Sequence, residues 1–139
     1  MRSAIVTLLI LALSGCASQP KQRTLYDDLG GAEGIDQIVS HFINQIGHDP
    51  VILPYFADSH VSRFREKITE HFCHISDGPC AYTGDNMVDI HVGMDINEHD
   101  FNRVVDLLYN ALEQSGVPHP AQNRLIARLA PLRSDIIYR

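Results

Sequence analysis

The amino-acid sequence predicts an all-α domain, and three observations support that prediction. Apolar residues in each long stretch recur at intervals of three and four, the spacing of one buried helical face. No stretch shows the alternation of apolar and polar residues that is typical of a half-buried strand. With 139 residues and 45% hydrophobic residues, the chain is sized for one globular domain with a substantial core.

The N-terminus is predicted to be a bacterial lipoprotein signal peptide, residues 1–15. A short positive start is followed by an apolar run over residues 4–13, which is shorter than the roughly 20 residues that a membrane-spanning helix needs. Leu13-Ser14-Gly15-Cys16 resembles a lipobox, so we expect Cys16 to be lipidated and to begin the mature chain. Cleavage as an ordinary secretory signal, with Cys16 unmodified, is the alternative.

Residues 16–23 are predicted to be the lipidated cysteine and a flexible tether, because they are polar and include Pro20. Ala17, and not an acidic residue, follows the cysteine, which resembles the signal for outer-membrane delivery in Gram-negative bacteria. We therefore expect a lipid-anchored envelope protein that faces the periplasm. The formal charge of −6 and the lack of a basic patch argue against nucleic acid as a partner.

Residues 24–139 are predicted to form the folded domain, with six helical segments. Thr24 and Asp27 form a potential capping box, and Asn97 precedes a first turn that carries Glu98 and Asp100. Residues 76–84 are rich in turn formers and are predicted to be a surface loop. The predicted helices are a short one from Thr24 to Gly30-Gly31, then 34–46, 61–75, 85–96, one from Asn97 to Gly116, and one from about Ala121 with a kink at Pro131.

One histidine lies on a predicted apolar face. Helical spacing in residues 85–96 places four residues on one side: Met87, Ile90, His91 and Met94. The common hydrolase, nucleotide-binding and zinc signatures are absent from the sequence. A neutral imidazole among apolar helices suits the proximal ligation of haem, whereas spacing alone favours a core histidine with a hydrogen-bonded ring.

Several segments together resemble the truncated haemoglobins, most closely their first group. In order, these are "LYDDLGG", "LPYF", "DGPCAYTG", "MVDIHVG", "DINEHDF" and "ALEQSGVP". The resemblance covers residues 24 to about 134. It implies a two-over-two helical sandwich that holds one haem b per chain and reversibly binds a diatomic gas (O2, NO or CO).

The resemblance also assigns residue roles. His91 corresponds to the proximal ligand of the haem iron, and Phe56 to the phenylalanine that clamps the ring. Lys67 falls where many members place a basic residue that reaches a haem propionate, and an exposed surface lysine is the alternative. The remaining expected haem contacts are Ile43, Phe64, Ile68, Phe72, Met87 and Met94.

The expected distal side departs from the family. Ile43 and Ile68 occupy the positions where first-group members usually carry a tyrosine and often a glutamine that donate hydrogen bonds to bound oxygen. An apolar distal pocket and a five-coordinate iron are therefore expected, with faster oxygen release and smaller effects on CO and NO. His71 is the candidate for a polar distal group, and a partly exposed helix histidine is the alternative.

Two cysteines complete the set of candidate residues. An oxidising compartment favours a disulfide between Cys73 and Cys80, and two free thiols are the alternative.

The expected function is gas binding or transport, with NO dioxygenase or peroxidase-like side activity as candidate chemistry and a reductase as electron donor. The alternative from another class is an apo-globin envelope lipoprotein that acts as an interaction or thiol-redox sensing module through Cys73 and Cys80.

Overall fold

The computed structural model describes residues 22–139, so the predicted signal peptide (1–15), Cys16 and the tether up to residue 21 lie outside the described residues. Within 22–139 the chain forms six α-helices, two 3₁₀ helices and no strand, which confirms the all-α prediction. The α-helices are α1 (Leu25–Asp28), α2 (Gly31–His48), α3 (Val61–Ile75), α4 (Met87–His91), α5 (Glu98–Gln114) and α6 (His119–Leu129). The 3₁₀ helices are Leu53–Phe56 and Ala130–Asp135.

The start of the domain follows its local sequence signals. The Thr24 hydroxyl accepts the Asp27 N–H at 3.1 Å, and the Asp27 carboxylate accepts the Thr24 N–H at 2.9 Å, which completes the predicted capping box. Gly30 and Gly31 have φ of 91° and 68°, a left-handed conformation that side chains with a Cβ rarely adopt. These two glycines end α1 after one turn and allow α2 to begin at once.

The core lies between two helical layers. Helix α2 packs against α3 in one layer and against α5 across the interface, and α5 packs against α6. Each fully buried aliphatic side chain contributes roughly 1.5–3 kcal/mol through removal of its surface from water. The largest side chains of this core with almost no exposure are Leu25, Ile35, Ile38, Ile52, Phe72, Leu112 and Leu125. This two-over-two packing is the one that the resemblance implies.

The helix predicted over 85–96 is wrong in extent. Helix α4 starts after its Asn86 cap and ends at His91, because Gly93 (φ 83°) and Asp95 (φ 47°) leave the helical region. The N–H groups of both residues donate to the Arg139 carbonyl at 3.0 Å. The backbone therefore turns to pair with the end of the chain, and Met94 does not share a helical face with His91.

The final helix also differs from the prediction. Helix α6 begins at His119, with Pro120 in its first turn, where a missing N–H costs nothing. The helix ends at Leu129, and the chain continues as a 3₁₀ helix around Pro131, not as a kinked α-helix.

None of the helices in residues 22–139 combines the length and apolar character that a bilayer span requires.

Candidate functional site

A cavity of about 710 Å³ opens between α3 and α4 and is closed by faces of α5, α6 and the second 3₁₀ helix. This volume lies in the range of roughly 300–1,000 Å³ that is usual for small-molecule and cofactor sites. Aromatic and aliphatic side chains make up most of its wall, including Phe42, Phe56, Phe64, Ile68, Phe72, Met87, Phe101, Val104, Val105, Leu108, Ile126 and Leu129. The cavity therefore suits a large and mainly apolar ligand.

His91 lies in the wall of this cavity at the last residue of α4. Its Nδ1 is 2.7 Å from the Met87 carbonyl oxygen one turn earlier. Because a carbonyl oxygen only accepts, Nδ1 carries a proton in this contact, and Nε2 is the ring nitrogen left to bind a metal. Metal-ligating histidines are commonly oriented in this way, with the second nitrogen donating to a carbonyl or carboxylate. His91 is thus arranged to offer Nε2 as a single nitrogen ligand.

Six of the other predicted contacts also line the cavity: Phe56, Phe64, Lys67, Ile68, Phe72 and Met87. The rings of Phe56 and Phe64 meet edge to face, with centroids 4.9 Å apart. Phe56 ends the first 3₁₀ helix and Phe64 lies in the first turns of α3, so this pair fixes the corner between the two elements. The aromatic wall is therefore held by contacts between elements and not by one helix alone.

Two predicted site residues, Ile43 and Met94, are not among the residues that line the cavity. Ile43 packs against the buried core, and Phe42 lines the cavity in its place. Consecutive helical residues point about 100° apart, so a neighbour of a cavity-facing residue readily faces elsewhere. Met94 is displaced because α4 ends three residues before it.

Lys67 lies at the rim of the cavity and is part of an ionic network. Its Nζ donates to Glu66 (2.7 Å), Glu70 (3.0 Å) and the Thr83 hydroxyl (2.7 Å). Hydrogen bonds from Thr83 and Lys67 hold the pKa of Glu70 below its usual range, and Glu66 and Glu70 raise the pKa of Lys67. In this arrangement Lys67 ties α3 to the loop before α4.

Arg63 is a rim cation that sequence analysis missed. It lines the cavity one turn before Lys67, and its side chain is 65% exposed. Its closest carboxylate, Asp85, is 3.9 Å away, so the guanidinium is only loosely paired. Its spacing of four residues from Lys67 on an amphipathic helix is the sequence signal that would have identified it.

His71 is buried in the cavity wall, with 8% of its surface exposed. The alternative of a partly exposed helix histidine is therefore wrong. Its ring meets Tyr82 edge to face at 5.1 Å, and neither ring nitrogen has a hydrogen-bond partner. Burial, with a smaller contribution from the nearby His74, lowers the pKa of His71, which keeps the ring neutral at neutral pH.

The loop between α3 and α4 is cross-linked to α3. Cys73 near the end of α3 forms a disulfide with Cys80, with Cα atoms 5.9 Å apart. Arg128 of α6 donates to the Asp77 carboxylate (2.7 Å) and to the Ile75 carbonyl (2.6 Å) in the same turn. The loop that carries Tyr82 and leads to α4 is thereby fixed to both layers of the fold.

Residues 24–138 match the family described as bacterial-like globin. The group 1 truncated haemoglobin GlbN of Mycolicibacterium paratuberculosis (strain ATCC BAA-968 / K-10) is 31% identical over 113 residues, which cover 81% of this chain and 83% of that protein. The group 1 truncated haemoglobin GlbN of Nostoc sp. (strain MUN 8820) is 26% identical over 114 residues, which cover 82% of this chain and 97% of that protein.

Solved structures show the same architecture. The crystal structure of truncated haemoglobin from Tetrahymena pyriformis in the Fe(III) form superposes with a TM-score of 0.81 at 23% identity. That superposition covers 84% of this chain and 100% of the other. At a sequence identity of 23%, this structural similarity supports the two-over-two fold.

Proposed function

Because the chain belongs to the bacterial-like globin family, and truncated globins of that family bind haem, we propose that it is a group 1 truncated haemoglobin that holds one haem b through His91 and reversibly binds a diatomic gas. The observation that carries this proposal is the His91 ring on the cavity wall, with Nδ1 donating to the Met87 carbonyl and Nε2 left as a ligand. Haem, when bound, supplies an iron with an open position for O2, NO or CO.

The residues of the cavity fit that cofactor. The apolar walls exclude water from a macrocycle, and the cations Arg63 and Lys67 lie at the rim, where two carboxylates of a haem would need counter-charges. Phe56 and Phe64 would clamp the ring, and Met87 would pack beside it, since all three side chains line the cavity. We propose Arg63 as the principal propionate contact, because Lys67 is already shared among three acceptors.

Haem titration tests the proposal. Adding haemin to the purified protein should give a saturating Soret band at one haem per chain, and His91→Ala should remove or strongly shift that band. His74→Ala is the matched control, since His74 is exposed on α3 and its Nδ1 contacts the Cys80 carbonyl. No stoichiometric band, or an identical band in His91→Ala, would contradict the proposal.

We also propose that the protein is a lipid-anchored envelope globin. Two features support this location: the lipobox-like residues 13–16 and the Cys73–Cys80 disulfide, which suits an oxidising compartment. Labelled palmitate should be incorporated into the wild-type protein in bacteria and not into Cys16→Ala. Equal labelling of the two would contradict the anchor.

Gas binding or transport is the proposed activity, with a reductase as electron donor. The thiol-redox module is not favoured, because family membership accounts for both the cavity and the placement of His91. The disulfide is explained by a structural role, because it holds the loop that carries Tyr82.

A further inference from the structure

A hydrogen bond behind the cavity wall joins two of its sides. The Tyr55 hydroxyl, in the first 3₁₀ helix, donates to the Asp100 carboxylate of α5 at 2.6 Å. Neither residue lines the cavity, but the next residue along the chain does in both cases: Phe56 follows Tyr55, and Phe101 follows Asp100. The bond therefore connects the two backbone segments that carry these phenylalanines.

This hydrogen bond has the character of a strong one. The side chain of Asp100 is 13% exposed, and a charged acceptor gives a shorter and stronger hydrogen bond than a neutral acceptor does. The bond is the main cause that raises the pKa of Tyr55 to about 12 and that lowers the pKa of Asp100. The phenol therefore keeps its proton, and the carboxylate its charge, throughout the neutral range.

Tyr55 and Phe56 directly precede an exposed stretch of the chain, residues 57–63, which we call the cavity edge. All seven of its residues are exposed, and Phe64 is the next one that is half-buried. Several residues of the cavity edge line the cavity: Asp58, Ser59, His60 and Arg63. The position of this edge therefore depends on how firmly its two ends are held.

Two pairs of side chains form hydrogen bonds between residues 49–56 and α5 in the described part of the chain. Asp49 accepts from Arg103 at 2.7 Å and holds the start of this segment, and Tyr55 holds its end. Ile52, with 1% exposure, packs into the core between them. Without the Tyr55 hydroxyl the start would keep its anchors, whereas Phe56 and the cavity edge would lose their hydrogen-bonded link to α5.

We propose that Tyr55 is a positioning residue of the cofactor cavity, and that its bond to Asp100 keeps Phe56 and the cavity edge closed over a bound haem. The proposal rests on the haem-binding function proposed above and deepens it, because it concerns how long the cofactor is retained. Departure of haem past the cavity edge requires Phe56 to move away from α5, and this bond opposes that movement. The iron ligand belongs to another element, α4, so iron coordination does not depend on Tyr55.

The test compares the wild type with Tyr55→Phe, which removes the hydroxyl and keeps the ring. Haem loss is measured as the transfer of haemin from each holoprotein to an excess of a haem-scavenging apoprotein. We expect the rate of haem loss to rise about tenfold, the factor for one hydrogen bond to a charged acceptor that must open before haem leaves. The Soret band should keep its wild-type position, because His91 is unchanged.

The chain offers a matched control in Tyr109→Phe. The Tyr109 hydroxyl donates to Asn123 at 3.4 Å, between α5 and α6, and neither residue lines the cavity. This variant should lose haem at the wild-type rate. Asp100→Asn keeps an acceptor without the charge and should raise the rate by less than Tyr55→Phe does. The double variant should lose haem no faster than Tyr55→Phe alone, because the two residues act through one bond.

A second measurement does not require haem. The N–H groups of Ala57 and Ser59 donate to the carbonyl oxygens of Pro54 and Phe56 at 3.2 and 3.0 Å. In the full chain before haem is added, both amides should exchange with deuterium faster in Tyr55→Phe than in the wild type. The interior amides of α2 and α5 should exchange at equal rates in the two proteins. A merely structural role of Tyr55 would instead speed exchange throughout the fold.

Two results would overturn the inference. The first is a rate of haem loss in Tyr55→Phe that equals the wild-type rate or that Tyr109→Phe matches. The second is exchange at Ala57 and Ser59 that stays unchanged or that rises equally across the fold. Absence of haem binding in the wild type would overturn the proposed function, and the exchange rates would still decide whether the hydrogen bond holds the cavity edge.

Discussion

Ile68 occupies the cavity face of α3, between Phe64 and Phe72, and carries no hydrogen-bonding group. Ile68→Gln places an amide donor at this point of the wall. We expect O2 release to slow by about tenfold, because a hydrogen bond to a partly charged ligand contributes about 1.5–3 kcal/mol. Stopped-flow measurement of O2 dissociation checks this, and an unchanged rate would show that residue 68 does not face the bound gas.

Ile43 provides a matched comparison on α2. The resemblance to truncated haemoglobins predicts that Ile43→Tyr slows O2 release, whereas the cavity geometry places Phe42, and not Ile43, in the wall. We expect the Ile43→Tyr rate to stay near the wild-type value. A clearly slower release in the same stopped-flow experiment would show that α2 presents residue 43 to the gas.

Asp49 joins the end of α2 to α5. Its carboxylate accepts the N–H groups of Val51 and Ile52 at 3.0 Å and the Arg103 Nε at 2.7 Å. The hydrogen bond from Arg103 is the main cause that holds the pKa of Asp49 below its ordinary value of 3.8. The ionised Asp49 carboxylate therefore stabilises the fold at pH values above 3.8. This contribution is lost as the pH falls through the lower pKa of the folded state.

Asp49→Asn should consequently lower the unfolding temperature at neutral pH. The difference between wild type and variant should shrink as the pH falls below 3.8. Thermal unfolding followed by circular dichroism over this range measures the effect. A difference that grows on acidification would contradict the assignment of the carboxylate as the stabilising form.

At the scale of single elements, the Cys73–Cys80 disulfide closes a short loop with a sequence separation of 7. Chain-entropy reasoning gives a contribution of about 2.5 kcal/mol to the free energy of unfolding for a loop of this size. Reduction, or the double variant Cys73→Ala with Cys80→Ala, should therefore lower the urea-unfolding free energy by about this amount. An unchanged midpoint after complete reduction would contradict a structural role.

Helices with strong local signals were predictable from sequence. The bounds of α3 agree with the apolar periodicity over 61–75, and Thr24 and Asn97 cap their helices through bonds to residues three positions on. Such signals are local, because the periodicity and the cap lie within a few residues of each other. The end of α4 depends instead on Gly93 and on hydrogen bonds to Arg139, far along the chain.

The site was predictable as a set of apolar faces and less so as a cavity. Phe101, Val104 and Val105 have the spacing of one apolar face of α5, and the structure leaves them half-buried around the cavity. Apolar spacing identifies the inner face of a helix, but a core face and a cavity face have the same spacing. The distinction depends on what lies opposite, which is a property of the assembled fold.

At the scale of the whole molecule, a large apolar cavity makes the stability of the folded state depend on the ligand that fills the cavity. A ligand at about 1,000 times its dissociation constant stabilises the folded state by about 4 kcal/mol. Haem should therefore raise the unfolding temperature of the wild type by many degrees, and the rise should be much smaller in His91→Ala. Equal shifts in differential scanning calorimetry would show that His91 does not contribute to haem affinity.

The central claim is that the His91 side chain is the proximal ligand of a haem in this cavity. Chemical rescue tests it most directly: His91→Gly is loaded with haemin and reduced with dithionite, and free imidazole is added while the absorption spectrum is recorded. The claim predicts a weak or altered Soret band without imidazole and a wild-type five-coordinate ferrous spectrum with it. A wild-type spectrum in His91→Gly without imidazole would contradict the claim.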